Sequence, residues 1–529
     1  MTSRRNATDS TPATPPDHAE APGYDFIVVG AGSAGCVLAS RLTEDAGVRV
    51  LVLEAGTDTA GLPEAVSDPP AWMSLGETPA NWGDTTVPQL AGSLPPRSAP
   101  RVMLPRGKGL GGSSSINAMV FARGHRSGYD SWGEHGAKGW TFDDLLPYFQ
   151  RTETTRGGAP GRGEAGPLTV APMAEPNPIG LACLAGAIET GLRRATDISG
   201  GLEEGFAPVD LNIVDGRRQS AADAYLTPAL GRPGLHVVTG AMAHRLIFEG
   251  RRCVGVEYDV QGRVSRARAV REVVLTAGAI GSAQLLLRSG VGPGQKLREA
   301  SVEVFHELPG VGRNLHDHPL LTLVHRTRRT VPPSRGNHGE IIGLLRSAPE
   351  LDGPDLQFIF VDIPFPNPEP QVASGFSIGI SPIRPYSRGT LRITSADPYA
   401  RPVLDPGYFT DERDVHTTLH GIRVAREIAR SSALAVWGPE EVAPGPEVTD
   451  AASLSVYART AYTSYCHPVG TCALGEDEGS VVDSALRVRG LEGLRVADGS
   501  VIPSIPSNNT NPTVYAIAER AAAFLREGV

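Results

Sequence analysis

The sequence predicts an α/β protein: a nucleotide-type sheet flanked by helices carries a second lobe built on an antiparallel sheet, also flanked by helices. Three observations predict it. A strand, glycine turn, helix and second strand open the ordered chain at residues 24–54. Two later strand–turn segments, each followed by a helix, return to that start near 272–288 and 494–525. Between them lie strand-like runs with no alternating helix. The chain has 529 residues, too many for one ordinary compact unit. Hydrophobic residues make up 40% and charged residues 20%, which supplies a core and excludes global disorder. A net charge of −9 argues against a nucleic-acid binder working through a basic face.

Residues 1–22 are polar and rich in Thr, Pro and Ala; Arg4-Arg5 is followed by no apolar stretch, so a disordered tail is expected there rather than a signal. No uninterrupted apolar run approaches the length of a membrane helix. The five cysteines are scattered without a C-x-x-C pair, which fits a reducing compartment, and a cytoplasmic protein is expected. Phe26-Ile27-Val28-Val29 reads as a buried strand ending in Gly30-Ala31-Gly32-Ser33-Ala34-Gly35, with a helix after it and a second strand, Val48 to Leu53, closed by Glu54. This is a Rossmann-type dinucleotide turn. Its glycines let the backbone approach a pyrophosphate at the helix start, and Glu54 suits a free ribose 2′-OH.

The block Arg106 to Asn117 (RGKGLGGSSSIN) is dense in small residues, which lets its backbone reach a flat ring or a phosphate; it lacks the terminal G-K-[ST] of a Walker loop. Glu272 to Ser282 reads as strand and small-residue turn, with a helix from Ala283 to Arg288. Gln357–Val361, Phe376–Ile380 and Thr390–Thr394 read as strands of the antiparallel sheet. Leu494 to Ser500 is a further strand and turn, followed by a helix from about Thr513 to Leu525. His316-Asp317-His318 has spacing that suits a strand and invites a metal reading, but no further ligand cluster accompanies it and no metal is expected.

Four blocks together resemble the glucose-methanol-choline (GMC) family of flavin-dependent oxidoreductases: the start at 24–56, the Gly-Ser block at 106–126, Gly278 to Gly292 (GAIGSAQLLLRSGVG), and the run from Tyr465 to Arg520. Asn117 to Arg126 is most similar to the choline-dehydrogenase-like and alcohol-dehydrogenase-like branch. Ala283 departs from the Pro or Ser that the second signature prefers. The resemblance implies an FAD-binding region at 24–318 with a substrate-lobe excursion near 171–229. It also implies a mainly substrate lobe at 319–463 and a C-terminal region at 384–522, with 464–529 returning to the FAD lobe. In the family, Gly310 to His318 is the crossing between lobes.

By the same resemblance FAD lies against Gly30, Gly32, Ser33, Ala34, Gly35, Glu54 and Ala55, then Trp82, Arg106, Gly107, Gly111, Gly112 and Ser113. It continues along Asn117, Ala118, Met119 and Val120, then Ala243, Ala277 and Gly278, and ends at Asp498, Gly499, Thr510 and Asn511. Ile116-Asn117 stand where members that tether the flavin carry a histidine, which implies non-covalent FAD. His467, in Tyr465-Cys466-His467-Pro468-Val469-Gly470-Thr471, is the implied base. An ungapped count back from Ala518-Glu519-Arg520 puts the second catalytic residue on Asn509, with Asn511 against the flavin pyrimidine. The implied reaction is oxidation of an alcohol, the base taking the hydroxyl proton and flavin N5 the hydride, with oxygen or another electron acceptor completing the cycle.

A lyase or decarboxylase holding FAD without net redox turnover, and a nicotinamide-dependent dehydrogenase, are the alternatives. No G-x-S-x-G elbow supports a hydrolase, and a non-catalytic scaffold need not retain His467 with Asn509. Phe358, Phe360, Phe365, Phe376 and Tyr386 fit either core or pocket. Choline would want an aromatic cage and a carboxylate, neither of which can be placed, so an apolar or aromatic primary alcohol, or a hydroxyl on a larger metabolite, is expected. The sequence does not give the oligomeric state.

Overall fold

The computed structural model describes residues 23–89, 99–155, 159–366 and 371–529; the tail expected at 1–22 lies outside them. Its first sheet runs in the order Leu235–Val238, Val50–Leu53, Tyr24–Val29, Arg263–Leu275, Arg252–Val260, Ala241–Glu249, with Leu494–Val496 also paired to 263–275. The strand Tyr24–Val29 is parallel to both neighbours and Phe26 to Val29 are buried, the pattern of a strand covered on both faces. The thirteen-residue strand Arg263–Leu275 belongs to two arrangements. Its first half pairs antiparallel with 252–260, and its end, Val273 to Leu275, runs parallel to Leu494–Val496. N-terminal, middle and C-terminal pieces thereby share one sheet. Helices Ser33–Leu42 and Asn511–Glu527 are joined by a partly buried ion pair, Arg41 Nη2 to Glu519 Oε1 at 2.8 Å.

The second sheet is antiparallel, in the order Glu440–Ala443, Pro319–Arg326, Gly375–Pro382, Leu356–Val361, Ile341–Leu345, Gly205–Pro208, with Thr463–Ser464 also on 319–326. Successive side chains of a strand point to opposite faces, and Leu356–Val361 uses both. Phe358 and Phe360 enter a core with helices Pro178–Glu189 and Glu412–Ala429, whereas Ile359 and Val361 enter a second cluster with Val120 and Ala122 of the Gly-Ser block. That second cluster is where the two lobes meet.

Several boundaries differ from the sequence reading. Thr390–Arg392 is not in the second sheet; it pairs with Val403–Asp405 as a separate two-stranded ribbon. Strand propensity reports an extended backbone but not its partner, so the run's sequence alone does not tell this ribbon from the second sheet. The helix read from Ala283 starts at Gly278, that read from Thr513 starts at Asn511, and the second strand begins at Val50. Among the aromatics, Phe358, Phe360 and Phe376 are core, Phe365 packs on the inter-lobe cluster, and Tyr386 is exposed beneath Arg413. All five cysteines are free thiols. Among the described residues, no helix is long and apolar enough to cross a membrane.

Candidate active site

The glycine turn and the Gly-Ser block lie against each other. A Cβ on Gly35 would sit 1.9 Å from the carbonyl oxygen of Gly30, so only glycine permits that turn. A Cβ on Gly112 would sit 2.6 Å from the Cα of Gly32, so the two loops touch through backbone. Glu54 ties them together: Oε2 accepts the Ala31 N–H at 2.8 Å, and Oε1 accepts those of Gly56 at 2.8 Å and Gly109 at 3.0 Å. Burial pushes its carboxyl upward, against these three hydrogen bonds. A carboxylate has about four acceptor positions, so one remains for a ribose hydroxyl.

The same cradle continues through side chains. Arg106 and Lys108 lie over the Trp82 ring at 4.4 and 4.8 Å, and Arg106 is paired with Asp84. Asn117 Oδ1 takes the Met119 N–H at 3.0 Å and Arg218 Nη1 at 2.7 Å, fixing the left-handed turn at Met119 (φ 59°). Asp498 caps the C-terminal turn, accepting from Ser500 through Oδ1 and from Gly278 N–H and Ser282 Oγ through Oδ2. Asn511 Oδ1 accepts from Ser33 Oγ at 2.7 Å, which places Asn511 at the glycine turn.

The two asparagines therefore have different neighbours. Asn509 Nδ2 lies 3.2 Å from His467 Nε2, and His467 Nδ1 lies 3.0 Å from His318 Nδ1. His318 Nε2 faces the Ile383 carbonyl at 3.1 Å. A carbonyl only accepts, so His318 carries its proton on Nε2 and leaves Nδ1 as an acceptor. His467 must then donate from Nδ1, which leaves its Nε2 lone pair facing the Asn509 amide. Burial pushes His467 down to about 3 and His318 well below the usual imidazole range, so both rings are neutral at pH 7. Tyr465 stacks on His467 with ring centroids 4.7 Å apart. Asn509 is positioned in turn by the buried Asn508, whose Oδ1 accepts the Asn509 N–H and Gln357 Nε2 from the second sheet. Asn509 Oδ1 is buried without a partner.

The sequence singles out neither His318 nor Asn508 as a site residue: His318 reads there as part of a metal-like triplet and of the lobe crossing. The arrangement also disposes of the metal reading of residues 316–318. His316 Nδ1 donates to the Asn314 carbonyl at 2.6 Å and Nε2 accepts the Ile505 N–H at 3.0 Å, while both His318 nitrogens are used as above. Neither ring has a lone pair left for an ion.

The residues present fit FAD. A Cβ on Gly32 would meet Gly112 Cα at 3.9 Å and the Thr276 carbonyl oxygen at 4.0 Å, both ordinary contacts, and one on Gly278 would meet nothing within 4 Å, so space lies open along both turns beside Glu54 and Asp498. The N-terminal region matches the GMC oxidoreductase model over residues 24–320, and the C-terminal region matches its partner model over 385–518. An oxygen-dependent choline dehydrogenase of Brucella anthropi is 38% identical over 94% of each chain. The pyridoxine 4-oxidase from Mesorbium loti superposes with a TM-score of 0.90 at 33% identity, over 96% of this chain and 99% of that one. A formate oxidase of Aspergillus oryzae RIB40, whose structure addresses modification of its FAD, superposes at 0.88 with 26% identity, over 96% and 98%. The fold, the cradle and these matches lead to one assignment: the chain belongs to the GMC oxidoreductase family and is an FAD-dependent enzyme that oxidises the CH–OH group of an alcohol.

Proposed function

We propose that the substrate is an uncharged primary alcohol, apolar or aromatic, with His467 as the base and Asn509 as the residue that holds the substrate oxygen. The observation that carries this reading is the oriented chain from Asn509 through His467 and His318 to Ile383. Because His467 is pinned as the Nδ1–H tautomer, its Nε2 lone pair, which faces the Asn509 amide, is the acceptor for a hydroxyl proton once the alcohol displaces that contact. The alcohol O–H bond breaks, an N–H bond forms at Nε2, and the electron pair stays on the substrate oxygen. The Asn509 amide carries two protons, one toward His467 and one for that oxygen. The chain of rings ends on a peptide carbonyl, which accepts no proton for onward transfer, so His318 orients the base rather than draining it.

Bound FAD supplies the acceptor for the hydride that leaves the alcohol carbon. Gly30 to Gly35, Glu54, the 106–120 block, Asp498 and Asn511 would hold it. Ile116 is packed beside Leu75 and Ala80 and offers no nucleophile for a covalent link, so acid precipitation should release the flavin into the supernatant. The start of helix Asn511–Glu527 lies next to Asn509 and favours negative charge there.

The named relatives suggest choline and pyridoxine as first candidates. Support for an uncharged alcohol comes from the surroundings of the base. Tyr465 stacks on it and also packs on the cluster containing Val120, Leu320, Ile359 and Ile383. The acid next to it, Asp317, already accepts four donors. The test is an anaerobic alcohol panel read by flavin bleaching, followed by oxygen. Aromatic and apolar primary alcohols should bleach fastest and oxygen should restore the colour. Fastest bleaching by choline would overturn the substrate class, and colour restored only by an added dye would move electron transfer to an acceptor other than oxygen.

A further inference from the structure

Asp317 is 2% exposed and sits between His316 and His318, just before strand Pro319–Arg326. Its Oδ1 accepts the backbone N–H of His318 and the backbone N–H of His467, each at 2.8 Å. Its Oδ2 accepts from the Tyr408 and Ser464 hydroxyls. One oxygen thus anchors the main chain of the base and the main chain of the ring that orients it. The 3.0 Å contact between their Nδ1 atoms follows from that shared anchor.

Burial pushes the Asp317 carboxyl up, and its four donors oppose that and favour the anion. Peptide N–H groups only donate, so Oδ1 can carry no proton, and Oδ2 already faces two hydroxyls. The titratable side chains around the pair are His316, His318, Tyr408, Tyr465 and Cys466. Among the described residues none of these is a cation at pH 7 by its contacts, since both histidines each accept a hydrogen bond on one nitrogen. Arg388, the cation that acts on His316, donates to the Pro385 and Ser387 carbonyls.

We propose that Asp317 is a positioning residue of the reaction, kept as an anion so that the imidazolium formed when His467 takes the alcohol proton has a fixed counter-charge. This rests on His467 being the base. Asp317→Asn is the informative variant, because its carbonyl oxygen can keep both peptide N–H bonds while its NH2 donates to the two hydroxyls, so the charge leaves and the anchor stays.

The experiment measures anaerobic flavin reduction, by an alcohol that bleaches the wild type, from pH 6 to 10 with FAD content matched. Asp317→Asn should keep its FAD and be slowed at least tenfold at pH 7. The deficit should narrow toward pH 10, where rising hydroxide competes with the weakened base for the alcohol proton. A rate within threefold of wild type at pH 7 would overturn the proposal, and so would a deficit of equal size at every pH, the signature of mere displacement. If Asp317→Asn loses FAD, Tyr408→Phe removes one donor from Oδ2 and should show a smaller deficit that narrows in the same way; a constant deficit, or none, counts against the anion. His467→Ala in parallel separates the two failures: near-normal reduction there would remove His467 as the base, whatever Asp317 does.

Discussion

The proposed cofactor cradle and the proposed catalytic end are built by opposite means. In the cradle the work is done by main chain: Glu54 gathers three peptide N–H groups, and Gly32 and Gly112 meet Cα to Cα. At the catalytic end it is done by side chains from far-separated segments. His318 is 149 residues from His467, and Asn509 a further 42 beyond it. A backbone-built site must be written as contiguous small residues, because its geometry comes from consecutive torsions. A side-chain relay needs only that the fold deliver each ring, and any spacing serves. Mutations at the two ends should therefore fail differently.

The largest effect is expected at the base. His467→Ala removes the proton acceptor and leaves the cradle intact, so flavin content should stay at wild-type level while anaerobic reduction by alcohol falls about 10²–10⁴-fold. Stopped-flow absorbance on protein of verified FAD content checks it, and loss of the flavin together with the rate would mean that the two ends are not separable.

Next comes the pair of asparagines, two residues apart and assigned to different ends. Asn509→Ala withdraws a donor from the substrate oxygen, a loss of about 2.7–4 kcal/mol if it acts as an oxyanion-hole group does, read as a 10²–10³-fold slower reduction. Asn511→Ala breaks the contact with Ser33 at the glycine turn, so it should weaken FAD binding and leave the reduction rate nearly unchanged once FAD saturates. The reverse pattern would move the catalytic role to Asn511.

The cradle itself can be probed without unfolding it. Gly32 has φ −76°, open to any L-residue, and its added Cβ would clear Gly112. Gly32→Ala should therefore leave the apoprotein's thermal midpoint in place and raise the FAD dissociation constant about tenfold or more, as a methyl group enters the space between turn and cofactor. Unchanged affinity would show that the pyrophosphate does not approach Gly32.

What the sequence made legible follows the same division. The turn at Gly30 to Gly35, Glu54 and the 106–117 block were readable because each is a run with its own local reason. Glu54 was readable only in part: an acid closing the strand suggests a ribose, whereas two of its three peptide donors, Ala31 and Gly109, come from loops whose approach no local pattern records. Asn509 was reachable by counting from the helix beyond it. His318 and Asp317 were not, since a histidine flanked by an acid reads as a strand or a metal ligand until strand Pro319–Arg326 brings it against the 464–467 segment. Thr390–Thr394 failed for the complementary reason, being extended without its partner strand being given.

A buried histidine outside the site sharpens the comparison with the smallest effect on activity. His325 lies in strand Pro319–Arg326, stacked on Phe376 at 4.8 Å, with Nδ1 buried and unpartnered. Burial pushes it down to about 4, against an ordinary value of 6.5. Between those pH values the unfolded chain binds a proton that the folded chain does not, so its contribution makes stability fall as pH falls from 6.5 toward 4, and the fall ends below 4. The slope is about 1.4 kcal/mol per pH unit. His325→Phe removes the titrating group and keeps a ring against Phe376. Its thermal midpoint relative to wild type should therefore rise steadily from pH 7 to pH 5, by about 2 kcal/mol in stability, with FAD-saturated flavin reduction at pH 7 unaltered. A pH-independent gap would mean that His325 titrates in the folded protein as it does in the unfolded chain. A change in the reduction rate would tie this strand to the catalytic end more tightly than its contacts suggest. The same titration cannot be read cleanly at His318, where removing the ring also frees the tautomer of His467, and that asymmetry separates a histidine that is merely buried from one that holds a base in place.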